Sequence, residues 1–146
     1  MRLWLALLLS LFLAGCRKDP ATEQARLERA FEEMLSGATL VGKFSVGDRI
    51  ASDRYTISKV SKLSGDIWTI QTRIQYGKRD VTVPVPVAVK WAGDTPVITL
   101  TDLGIPGLGT FTARVLFYRG QYAGTWSAKD HGGEMWGKIE KAAPSR

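Results

Sequence analysis

Asp130-His131-Gly132-Gly133 is the polar cluster closest to a reactive arrangement. An imidazole beside a carboxylate can serve as a general base. His131 is the chain's single histidine, which excludes a metal held by several imidazoles. The same four residues also spell a hairpin turn, with glycines for positive φ and Asp to stabilise the loop, and that reading is preferred. No Gly-x-Ser-x-Gly elbow is present, and the serines fall on strands or polar turns. Glycoside hydrolysis needs two acids facing a cleft. Asp48, Asp53, Asp66, Asp94 and Asp102 fall in turns, and Glu134 is a strand acid without an evident partner. No P-loop or dinucleotide fingerprint occurs. Residues 103–111 are Gly-rich and apolar but lack the Lys-Ser or Lys-Thr of a phosphate cradle. They read as a long loop over one end of the fold, with a mobile lid as the alternative. No catalysis and no cofactor are expected; a hydrolase centred on His131 ranks third among the functions considered.

The aromatic residues suggest binding instead. Trp68, Tyr76, Tyr122 and Trp126 fall on predicted strands, and Tyr122, Gly124 and Trp126 share one face. Such rings fill a core in the plainer reading. In the functional one they line a pocket for a small apolar or sugar ligand.

Cys16 is the one cysteine. Met1-Arg2 is a short positive start, and residues 3–13 are an apolar run too short to span a bilayer core about 30 Å thick. Leu13-Ala14-Gly15-Cys16 follows. This resembles the lipobox of bacterial lipoproteins, and the resemblance covers the first 16 residues. It implies removal of residues 1–15, a diacylglycerol on the Cys16 thiol, and Cys16 as the new N-terminus. Two or three acyl chains give stable anchoring where one is marginal. Arg17 lacks the Asp that favours inner-membrane retention in enteric-type lipoproteins. The expected location is therefore the outer membrane, if the host has two. With Cys16 lipidated, the remaining domain has no disulfide, cysteine nucleophile or zinc–thiolate cluster.

The elements that position these residues are mostly strands. Residues 16–22 read as a lipidated tether. Leu27, Ala30, Phe31, Met34 and Leu35 keep helical spacing, giving an amphipathic helix over 23–36 with Thr22 as N-cap and Gly37 past its end. Its stripe is expected to pack on the domain. From residue 38 the period becomes two. Eight strands are predicted over 38–46, 54–62, 67–76, 81–91, 96–101, 110–118, 121–128 and 134–140, within a β domain of 38–141 and before a tail of 142–146. Val81, Val83, Val85, Val87 and Val89 share one face, as do Phe111, Ala113, Val115 and Phe117, and Trp68, Ile70, Thr72, Ile74 and Tyr76. One apolar and one wet face is the antiparallel pattern. Pro84 and Pro86 each remove a donor, so that strand lies at an edge or the sheet opens there.

Short links between eight antiparallel strands predict a mainly β fold, an up-and-down barrel preceded by one helix. The architecture is similar to lipocalin and calycin barrels. The lipocalin Gly-x-Trp belongs on the first strand, however, whereas Gly124-Thr125-Trp126 lies on the seventh. The ending after Gln121 also faintly resembles small bacterial envelope proteins, which implies no activity. The formal charge is +6, spread with no basic run longer than two. It reads as a solvated surface; nucleic acid is not an expected partner. The leading expectation is a lipid-anchored envelope protein with a non-catalytic binding or structural role. The alternative is a scaffold that binds an envelope protein through an exposed sheet edge.

Overall fold

The period-two rows close on themselves. In the computed structural model, which describes residues 19–141, eight strands form a closed antiparallel barrel in sequence order. They are β1 (Ala38–Val46), β2 (Arg49–Ser64), β3 (Ile67–Tyr76), β4 (Arg79–Ala92), β5 (Thr95–Ile105), β6 (Gly109–Tyr118), β7 (Gln121–Ser127) and β8 (Gly132–Lys141). The last strand returns to the first, with Gly42 opposite Gly137. Residues 1–15, Cys16 and the tail 142–146 lie outside the described residues.

Each predicted row faces inward. The valines of β4 from Val83 to Val89 are buried, as are Trp68, Ile70, Thr72 and Ile74 on β3 and Val115 and Phe117 on β6. The outer rows carry Lys43, Arg54, Arg73, Lys90 and Lys138, all exposed. A lipid-facing barrel wall would be apolar there.

Of the strands that run longer than their alternation suggests, β2 and β5 gain most, and both contain a register shift. In β2 the shift falls between Ile57 and Lys59, so the buried side chains pass from Ile57 to Val60. In β5 it falls between Leu100 and Leu103, where Asp102 adopts φ 49°. Beyond it Leu103 and Ile105 turn back to the core. Residues 103–105 and 109–111 are therefore strand, and the expected long loop shrinks to a tight turn closed by Leu108 N–H donating to Ile105 O at 3.0 Å. A bulge resets the side-chain phase by one residue, which breaks a period-two reading.

Pro84 and Pro86 mark an opening in the ring. β4 pairs with β3 from Arg79 to Ala88 but with β5 only from Ala88 to Ala92. Both prolines fall in the stretch without a ladder to β5.

The helix α1 (Pro20–Leu35) closes one end. It starts earlier than Thr22 suggests, because Asp19 is the N-cap: its carboxylate accepts from Ala21 N–H at 3.1 Å, and Pro20 takes the first helical position. Residues 20–22 are thus helix, not tether. Gly37 adopts φ +72° just past the end. Phe31 and Leu35 are fully buried. The Phe31 ring meets Trp68 at 5.2 Å, Trp91 at 6.3 Å and Phe117 at 6.3 Å, all near edge-on. These three belong to strand ends beside the β2–β3, β4–β5 and β6–β7 turns, so α1 lies across that end. Lys62–Glu28 pins it to β2 at 2.6 Å. The ring is closed and its core complete within residues 20–141, so this stretch is a folding unit by itself.

Candidate binding cavity

The barrel is hollow. A cavity of about 360 Å³ occupies its interior, a volume within the range of small-molecule sites. It spans from Ile70, Val87 and Ile98 toward the end opposite α1, where Val46, Ile105, Leu108 and His131 border it. An aromatic collar stands at that mouth. Phe44 packs edge-on against Tyr76 at 5.9 Å and against Trp126 at 5.8 Å. Phe111 lies 6.3 Å from Trp126.

Of the four aromatic residues singled out in the sequence, Tyr76 and Trp126 line this cavity. Trp68 and Tyr122 do not. Trp68 is 2% exposed and forms the floor against Phe31. Tyr122 is 1% exposed and belongs to the wall. Phe44, Tyr55, Thr72, Phe111 and Met135 were not singled out, yet they line the space. Thr72 and Phe111 already stood in the inward rows; Tyr55 was hidden by the phase reset in β2.

Tyr122 fills a gap made by glycine. One row runs across six strands through Phe117, Tyr122, Gly137, Gly42, Asp53 and Tyr76. A side chain on Gly42 would lie 2.2 Å from the Trp136 carbonyl and 2.2 Å from the Tyr122 hydroxyl. The phenol reaches across both bare positions and donates to Asp53 at 3.0 Å. Tyr55 donates to the other carboxylate oxygen, also at 3.0 Å. Asp53 is 4% exposed. Burial pushes its carboxyl above the usual range, and the two phenolic hydrogen bonds partly offset that. Burial, then the neighbouring carboxylate, pushes both phenols up, so they remain donors.

His131 stands on the β7–β8 loop, half exposed, with Nδ1 2.8 Å from Asp130. Its imidazole holds the Asp130 carboxyl below the usual range. The ring also meets Trp126 edge-on at 5.4 Å. No hydroxyl is hydrogen-bonded to His131 among the described residues, and no group of three His, Cys, Asp or Glu side chains converges there. A wider depression of about 650 Å³ lies outside the barrel, bordered by Lys43, Arg54, Trp136 and Lys138. It is a surface groove; the inner cavity is the one walled by apolar side chains.

Comparison with protein-family models, curated proteins and solved structures gives no match to this chain.

Proposed function

We propose that this chain is a lipid-anchored cell-envelope protein whose barrel binds a small apolar ligand without catalysis. The interior cavity carries this reading. It opens at one end, is floored by an aromatic plug at the other, and is lined by valine, isoleucine, leucine and aromatic side chains. A sugar would need many hydrogen-bonding partners in such a wall. Tyr55, Thr72, Tyr76, Trp126 and His131 are the hydrogen-bonding side chains on it. Tyr55 is engaged by Asp53 and His131 by Asp130, and the rest are too few for that, so the apolar ligand is favoured over the sugar. The open cup gives the likeness to lipocalins its functional sense. Attachment through Cys16 rests on the lipobox resemblance, and outer-membrane location, in a host with two membranes, on Arg17.

The scaffold alternative has less support, because a closed ring leaves no free edge strand. The stretch of β4 around Pro84 and Pro86 is the one place it could use. Hydrolysis fares worse, with His131 on a solvent-facing loop beside an exposed Asp130.

Titrating the unit from residue 19 onward with N-phenyl-1-naphthylamine, a neutral apolar probe, tests the binding role. Saturable probe fluorescence is expected, with quenching of tryptophan emission that is lost when Val85→Trp or Val87→Trp fills the cavity. Absence of saturable binding by a folded protein would sink the proposal.

A further inference from the structure

Two polar atoms on the cavity wall have no protein partner. Thr72 Oγ1 and Trp126 Nε1 are shielded from solvent, and neither has a hydrogen bond among the described residues. Thr72 is 6% exposed, and both side chains line the cavity. Orphaned buried groups are uncommon because they forfeit hydration without compensation. An indole N–H can only donate. Whatever satisfies Trp126 therefore presents an acceptor.

The two orphans lie at different depths. Thr72 is half-way along β3. Trp126 belongs to the collar at the mouth, against Phe44 and His131. The turns around that mouth carry Arg49, Lys78, Arg79 and Lys129. Arg79 is tied to the Gly107 carbonyl at 2.9 Å. Arg49, Lys78 and Lys129 make no ion pair among the described residues. Of the acids at this end, Asp80 is bound to Arg73 and Asp130 to His131. Asp48, Asp102 and Glu134 make no ion pair among the described residues, and of these three Asp48 alone stands on a turn. The opposite end of the cavity offers no charge, since Phe31, Trp68 and Phe117 form it.

A donor without an acceptor, a cationic rim and an apolar depth describe one kind of molecule. We infer that the cavity takes a single-chain amphiphile with an oxyanion head. Its chain lies between the valines of β4 and the β6 wall, and its head stays at the mouth, where Trp126 Nε1 donates to it and Arg49, Lys78 and Lys129 surround it. This inference rests on the binding role proposed above and adds the ligand's chemistry and its direction of insertion. A free fatty acid and a lipid phosphate share this chemistry.

Competition against bound N-phenyl-1-naphthylamine tests it, using dodecanoate, dodecyl phosphate and dodecyltrimethylammonium below their micelle concentrations. The unit from residue 19 onward is the protein. At least one anion should displace the probe about tenfold better than the cation, the scale of one charge-assisted hydrogen bond with its surrounding charges. Dodecanoate ahead of dodecyl phosphate points to a free acid, and the reverse to a phosphate head. Trp126→Phe should weaken the preferred anion about tenfold more than it weakens the neutral probe. In the wild-type protein the Trp126 indole N–H resonance, assigned through its ring contacts with Phe44 and His131, should move on anion binding; this measurement needs no variant. Equal displacement by anion and cation, or an unmoved Trp126 resonance, would overturn the inference while leaving the apolar-binding role intact. Failure of the neutral probe to bind overturns both.

Discussion

The carboxyl of Asp53 sits where two neighbouring strands have no side chains to offer. Gly42 and Gly137 leave a bare strip in the wall, and Tyr122 covers it only because its hydroxyl finds Asp53 at 3.0 Å. A buried acid with two phenolic donors is thus part of the barrel's closure and carries a pH signature. Its carboxyl titrates above the ordinary value in the fold, chiefly through burial. Between the ordinary and the raised value, the folded chain holds more proton than the unfolded one, so its stability falls as pH rises through that window. Asp66, Asp80 and Asp130 titrate below the ordinary value, held down by Lys90, Arg73 and His131 respectively. They act the opposite way and lose their contribution as pH falls. They are common to wild type and Asp53→Asn, so they cancel in the difference. Denaturant midpoints of the two proteins, followed from about pH 3 to 8, should show wild type losing stability relative to the variant as pH rises. A constant difference, or the reverse slope, would place Asp53 outside the proton linkage.

At the scale of elements, α1 is the barrel's floor. Phe31 contributes one ring to three edge-on contacts, with Trp68, Trp91 and Phe117. Truncation to Ala should cost about 3–5 kcal/mol, the range for losing a buried Phe. It should also red-shift tryptophan emission as water reaches Trp68 and Trp91. Chemical denaturation followed by emission checks both, and a loss below about 1 kcal/mol would mean that the ring closes without its plug. Most of this was legible in the sequence: the helix from its apolar spacing, the eight strands from their period of two and the turn residues between them, and the break in pairing from Pro84 and Pro86. The full lengths of β2 and β5 were not, because a bulge moves the inward set from odd to even positions or back, and no local pattern announces it. The cavity was half legible. Tyr76 and Trp126 were picked out by residue type. Whether a ring fills the core or faces a hole depends on which rings from other strands share its level. Trp68 meets the helix plug and Tyr122 meets Asp53; neither partner is near it in sequence.

For the whole molecule, the lipid proposed on Cys16 would set which way the cup faces. The described chain begins at Asp19, at the start of the helix that lies across the floor. Cys16 is three residues earlier, so a lipid there can stand no more than about 10 Å from Asp19. The mouth lies farther off. A strand of ten residues, such as β3, tilted as barrel strands are, separates the two ends by about 25 Å. With Cys16 lipidated as proposed, the helix end would face the anchoring membrane and the mouth would face away, so a ligand would exchange through water rather than directly with that bilayer. Leu63, 62% exposed near the end of β2, and Tyr118, 49% exposed at the end of β6, stand at the helix end of the barrel. Cys16 is the one native thiol, and a lipid on it would leave a single introduced cysteine to be labelled cleanly. In lipidated protein on vesicles carrying spin-labelled lipid, a fluorophore on Leu63→Cys should be quenched. One on Asp48→Cys, in the β1–β2 turn beside the mouth, should keep its emission. Quenching at position 48 and not at 63 would turn the cup over and make the bilayer itself the ligand's source.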